Sequence, residues 1–150
     1  MKCIAYRGGY KYQLKESYTL DIAIKPAKAI ETTFLQLDTA GKLTIKDGYA
    51  WDGPSGPTMD TLTFMRGSLV HDALYQLMRE KHLDHDTHRK TADRILWQLC
   101  REDGMWAARA WWVYWAVRWF ADPAADPAST KPLTHAPKGC EKGAVKSQEL

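Results

Sequence analysis

Long apolar runs are missing from this 150-residue chain, and with them any segment of the roughly 20 apolar residues that a helix needs to cross a bilayer. The first residues, Met1 to Gly9, contain no apolar stretch of signal-peptide length, so synthesis in a cytoplasm is expected. Cysteine is scarce. Cys3, Cys100 and Cys140 are odd in number, far apart and without CxxC spacing, which argues against a disulfide framework or a zinc knuckle and for three free thiols. Excess charge is lacking too: 21 Lys and Arg face 18 Asp and Glu, a net of +3 without a concentrated basic stripe, so no specific nucleic-acid partner is expected. A glycine-rich phosphate loop, a GxSxG elbow and an HExxH helix are all absent.

What is present fits one domain with a real core: 45% of residues are hydrophobic and 26% charged. The first third alternates with a period of two at Tyr10, Tyr12 and Leu14, and again at Tyr18, Leu20, Ile22 and Ile24, as half-buried strands do. Pro26 ends that run. Phe34 to Leu37 and Leu43 to Ile45 flank the Gly-containing loop Asp38 to Lys42, which predicts an antiparallel hairpin. Gly48 to Thr58 then brings two Gly-Pro elements close together. These forbid regular structure and fix a loop that sets its carbonyls and the Asp52 carboxylate in a defined geometry, the plainer alternative being a rigid β-to-α connector.

Three helices are predicted next, over Leu62 to Glu80, Thr87 to Glu102 and Met105 to Phe120. Asp86 or Thr87 would cap the second, and Asp103-Gly104 would end it. The pattern stops at Phe120, giving a single α+β domain over 1–120 and a low-structure tail over 121–150 that is too poor in large apolar side chains to fold alone.

Within the first helix stand His71, Asp72 and Tyr75. His71 and Tyr75 share the apolar face, while Asp72 projects about 100° away round the axis. A short loop makes the first two helices antiparallel. His71 then lies about 13 Å before the loop and Asp93 about 10 Å beyond it, so the two side chains can meet. A carboxylate beside a neutral imidazole fixes its tautomer and makes it a better base. Tyr75 can brace Asp93, and Asp72 is left to hold a hard cation. The competing reading is structural: a His bonded to an Asp across a helical hairpin also satisfies one buried polar pair. Adjacent His and Asp suggest an HD-type metal phosphohydrolase as well, but no histidine precedes His71, and that reading fails.

Two other stretches are rich in functional side chains. His82 to His88 places three imidazoles at spacings of three in an interhelical loop, where a solvated polar run is the ordinary meaning and adventitious zinc or nickel binding the alternative. The third helix carries Trp106, Trp111, Trp112, Trp115 and Trp119, with apolar side chains round nearly its whole circumference and only Arg109 and Arg118 interrupting them. Such a helix is central to a core, shared with a protein partner, or in contact with lipid headgroups.

Taken together, the loop Ala50-Trp51-Asp52-Gly53-Pro54-Ser55-Gly56-Pro57, the run His71-Asp72-Ala73-Leu74-Tyr75 and the run Arg89-Lys90-Thr91-Ala92-Asp93 resemble a family of small phage- and prophage-borne proteins that carry a domain of unknown function. The resemblance covers roughly Phe34 to Phe120 and implies a phage or prophage source, with synthesis in the host cytoplasm and association with the virion as a further expectation. More distantly, the helix with His-Asp-x-x-Tyr and its antiparallel partner supplying an Asp is similar to secreted phospholipase A2. That similarity implies His71, Asp93 and Tyr75 as catalytic residues, with His71 activating water, Asp93 orienting it and Tyr75 bracing Asp93. It also implies calcium, held by Asp72 and the loop of Asp52. The half-cystines and the glycine-rich calcium loop of those enzymes are not reproduced here. The expectation is therefore a phage accessory hydrolase acting on lipid esters at a membrane surface. Its alternative is a non-catalytic protein that binds a phage structural or host protein through the Trp-rich helix and the tail.

Overall fold

The computed structural model describes residues 4–6, 10–53, 61–129 and 134–136. Cys3, Cys140, the Pro54 to Thr58 half of the Gly-Pro loop and most of the 121–150 tail lie outside the described residues. In chain order the elements are β1 (Ile4–Tyr6), β2 (Tyr12–Gln13), β3 (Tyr18–Asp21), β4 (Ile30–Glu31), β5 (Leu35–Leu37), β6 (Lys42–Ile45), β7 (Ala50–Trp51), α1 (Leu62–Arg79), α2 (His85–Glu102), α3 (Ala107–Phe120), α4 (Asp122–Ala125), a 3-10 turn (Pro127–Ser129) and β8 (Thr134–Ala136). The order is α+β: antiparallel strands first, then helices.

Two compact units divide the chain. The smaller, Met1–Gly9 with Thr130–Leu150, contains β1 and β8 as an antiparallel pair in which Ile4 faces Ala136. The larger, Tyr10–Ser129, contains everything else. Its end lies beyond Phe120 because α4 and the 3-10 turn pack on α1, where Ala125 is fully buried and the Arg79 guanidinium donates to the Ala124 carbonyl.

Four strands form the main sheet in the order β3-β6-β5-β4, all antiparallel. The predicted hairpin is its centre, with Leu35 opposite Ile45 and Leu37 opposite Leu43. All four of those side chains are fully buried, because the pleat sends alternate residues to one face and that face is covered by α1. At the turn, the Asp38 carboxylate accepts from the backbone N–H groups of Ala40 and Lys42. The regular alternation at Ile22 and Ile24 outlasts the strand: β3 ends at Asp21, although both isoleucines stay buried. A second, two-stranded sheet pairs β2 with β7, setting Tyr12 opposite Trp51.

Helices α1 and α2 are antiparallel, and contacts advance along one as they retreat along the other: Arg66 with Asp103, Gly67 with Leu96 and Cys100, His71 with Asp93. Gly67 makes this approach close, since a Cβ there would stand 2.9 Å from Leu96 Cδ1 and 3.0 Å from Cys100 Sγ. The cap of α2 corrects the expectation. Helix α2 begins two residues before Thr87, and its N-cap is Asp84, whose carboxylate accepts from the Thr87 N–H at 2.8 Å. Asp84 fills the role because its side chain reaches the unpaired N–H groups of the first turn. Cys100 is buried as a free thiol, its pKa pushed up to about 12 by burial and then by the Asp103 charge.

Helix α3 is not central to the core. Only Ala110 and Val113 are buried along it, packing with Phe64, Leu96, Cys100 and Met105, while most of its aromatics face outward. Among the described residues no helix is long and apolar enough to cross a membrane.

Candidate active site

His71, Asp72, Tyr75 and Asp93 of the candidate site are set by the α1–α2 pair, and Asp52 by the chain leaving β7. The indole Nε1–H of Trp51 donates to Ser68 Oγ at 3.2 Å, and Ser68 donates in turn to the Met65 carbonyl. This ties the strand carrying Trp51-Asp52-Gly53 to α1 one turn before His71. Gly53 has φ +73, and a Cβ there would lie 2.5 Å from the Tyr12 ring, so only glycine lets the chain turn past that aromatic.

Asp93 is fully buried and is the centre of the arrangement. Its Oδ1 accepts from His71 Nε2–H at 2.7 Å and from the Tyr75 hydroxyl at 2.6 Å, and its Oδ2 accepts from Arg118 Nη1 at 2.9 Å. Burial opposes ionisation of Asp93, but the interaction with His71, with the hydrogen bonds from Tyr75 and Arg118, outweighs it and holds the carboxyl below its usual range. The Tyr75 phenol is pushed far up by burial and then by the Asp93 charge, so it remains a donor. An ionised carboxylate at this distance takes the Nε2 proton as its hydrogen bond, which in the neutral imidazole leaves the lone pair on Nδ1. No hydrogen bond reaches Nδ1 among the described residues. The His71 ring is tilted against that of Tyr75 at a centroid distance of 4.0 Å, which fixes its plane as well as its tautomer.

His71 is 6% exposed. It lines a cavity of about 80 Å³ together with Gly53, Ser68, Asp72, Tyr75 and Val117, among others, large enough for a few ordered waters. Asp72 is half-buried on the same cavity. Its carboxyl is raised to about 6, by burial first and also by the nearby Asp52 charge, against the opposing charges of His71 and Arg79 and a hydrogen bond from the Asp52 backbone N–H.

The structure thus brings His71, Tyr75 and Asp93 into one hydrogen-bonded cluster and places Asp72 beside Asp52. Asp72 and Asp52 offer the hard oxygen donors that calcium takes, and a divalent cation would relieve their mutual repulsion. Among the described residues no group of three or more His, Cys, Asp or Glu side chains is gathered as a metal site, so further ligands would be carbonyl or water oxygens. The His82 to His88 stretch forms no such group either. His85 lies 3.0 Å from the Asp86 carboxylate at the start of α2.

Two arginines were missed by sequence reasoning. Arg118 reaches Asp93 from α3, and Arg89 donates to the Val117 and Arg118 carbonyls, clamping the end of α3 to α2. The signal for Arg118 was a charge interrupting an otherwise apolar helix, a place where arginine needs an acidic partner.

The profile of a protein family of unknown function, DUF1353, matches residues 29–117. The chain belongs to this family. No curated protein and no solved structure matches it. The DUF1353 match spans β4 through most of α3 and includes all five sequence-predicted site residues, while Arg118 lies one residue past its end.

Proposed function

We propose that this DUF1353 protein is a hydrolase in which His71 activates water against an ester bond of a lipid. The observation that carries this reading is the His71–Asp93 pair: a buried, ionised carboxylate that takes the Nε2 proton leaves Nδ1 to act as the base, and the imidazole lines a small cavity with room for water. In the proposed reaction Nδ1 takes a proton from water as its oxygen bonds to the ester carbonyl carbon. The imidazolium, stabilised by Asp93, then returns that proton to the departing alcohol as the carbon–oxygen bond breaks, releasing a fatty acid. Tyr75 and Arg118 keep Asp93 ionised and in place throughout. Asp72 and Asp52 would hold a calcium ion, which when bound supplies positive charge against the developing oxyanion. The motif resemblance supports a phage or prophage setting for this activity.

The test is fatty-acid release from mixed phospholipid micelles, with calcium and then with excess chelator. Calcium-dependent release is expected, falling by a factor of about 10² or more in His71→Ala with the helical circular dichroism retained. Absence of release in both conditions would overturn the hydrolase reading. A second reading, a binding protein without chemistry acting on a phage structural or host protein, is favoured by the outward aromatic side chains of α3.

A further inference from the structure

Helix α3 is fourteen residues long, and its only charged side chains, Arg109 and Arg118, are engaged within the fold: Arg109 donates to Thr61 Oγ1 and Arg118 to Asp93. The outward row is therefore uncharged and almost entirely aromatic. Trp111 is 62% exposed, Trp112 47% and Trp119 67%. Trp111, Trp115 and Trp119 follow one another at single-turn spacing with ring centroids 6.3 and 5.6 Å apart, forming a continuous strip. Their planes are tilted by 64° and 36°, so the strip offers no flat platform for stacking a planar ligand.

The neighbouring surface of α2 carries the opposite character. Arg89, Asp93 and Cys100 face α3, and at about 100° per residue Lys90, Trp97 and Arg101 stand next to them round the helix, with Arg94 just beyond. All four of these side chains are exposed. Of the exposed acids of α2, Asp86 lies against His85 in the first turn and Glu102 is paired with Arg66. An aromatic strip without charge is thus bordered by a row of three cations and a fourth indole.

We propose that α3 with this border of α2 is a docking surface for an anionic phospholipid bilayer. Indole rings, apolar with one N–H, suit the headgroup region, and the cationic border complements anionic headgroups. At about 1.5 Å per residue, α3 is too short to span the roughly 30 Å hydrocarbon core and lies along the surface. A two-fold contact with a second copy fits less well, because it would bring the Lys90, Arg94 and Arg101 borders of both copies to the same interface. The surface also adjoins the cavity of His71, whose wall includes Val117 and Ala121 at the end of α3. The inference rests on the hydrolase reading for its purpose, since the cavity admits water but not acyl chains, and a substrate would reach its rim from the bilayer.

The experiment is flotation of the full chain with vesicles of ether-linked lipids, which no esterase cleaves, made of phosphatidylcholine alone or with added phosphatidylglycerol. Flotation with the anionic vesicles and a blue shift of the tryptophan emission are expected, both weakening as salt rises. Trp111→Ser with Trp119→Ser lowers the bound fraction about tenfold or more. Lys90→Gln with Arg94→Gln and Arg101→Gln removes the preference for anionic lipid. Failure of the wild-type chain to float at low salt would overturn the proposal. So would a dimer in sedimentation that the double Trp variant converts to monomer without any vesicle binding by the parent, which would assign the face to self-association. A chain that floats but releases no fatty acid from ester lipids supports the surface and counts only against the hydrolase.

Discussion

At Asp72 burial and charge pull in opposite directions: the half-buried site and Asp52 raise its carboxyl to about 6, above the ordinary 3.8, while His71 and Arg79 favour the anion. A carboxyl whose folded pKa lies above its unfolded value makes the native state bind more protons between the two. Stability from this group therefore falls as pH rises through that window and stays lower above it. Asp72→Asn removes the titration. The variant is expected to melt above the wild type at pH 7.5 and level with it at pH 3, below both pKa values, measured as the difference in Tm between the two proteins at each pH. Calcium, under the proposed role of Asp72 and Asp52, should restore the wild-type Tm at pH 7.5 and leave Asp72→Asn unmoved. Equal Tm differences at both pH values would mean that the charge on Asp72 is already neutralised in the native protein. Of the residues here, His71, Tyr75 and Asp93 were legible in the sequence because helical pitch and a short loop fix their depth along two neighbouring helices. Arg118 was not, since its reach to Asp93 depends on how α3 crosses the pair, a matter of tertiary packing.

The α1–α2 pair packs tightly at Gly67, one turn before the His71–Asp93 contact. Alanine at 67 gains up to about 1 kcal/mol of helix propensity. It also brings a Cβ to 2.9 Å from Leu96 Cδ1, 3.0 Å from Cys100 Sγ and 3.3 Å from the Leu96 carbonyl oxygen. The leucine tip can turn aside, but the backbone oxygen cannot. Overpacking of this kind costs about 1–3 kcal/mol, so Gly67→Ala is expected to be destabilising on balance in urea denaturation. A stabilised Gly67→Ala would mean that the helices part without cost. The helices themselves were legible because their apolar positions recur with the helical period over four or five turns. The short strands were less so. Strand β4, two residues long, gives no pattern of its own and exists by pairing with β5, where Ile30 meets Leu37. Composition could not place α3 either: an apolar circumference is the same in sequence whether a helix is enclosed or lies on the surface, and only the partners available at Ala110 and Val113 decide it.

Across the larger unit the apolar side chains divide into two clusters of unequal strength. One joins the sheet to α1 and α2 through Leu35, Leu37, Leu43, Ile45, Leu74 and Leu77, among others, and the other holds α3 through Phe64, Leu96, Cys100, Met105, Ala110 and Val113. With so little of α3 buried, its opening free energy should lie below that of global unfolding. Native-state hydrogen exchange is expected to show α3 amides exchanging through such a partial opening while those of α1 and α2 exchange only globally. Val113→Ala, which removes two methyls from the smaller cluster, should lower the α3 opening by about 1–2 kcal/mol. The gap between α1 and α3 amides should widen accordingly. A single shared exchange free energy for all three helices would show that the two clusters unfold as one. Because Arg118 reaches Asp93 from α3, a partial opening also withdraws one of the three donors that keep the carboxylate ionised. The stability of the outer helix and the ionisation of Asp93 are therefore linked, and any surface that holds α3 down keeps Arg118 on that carboxylate.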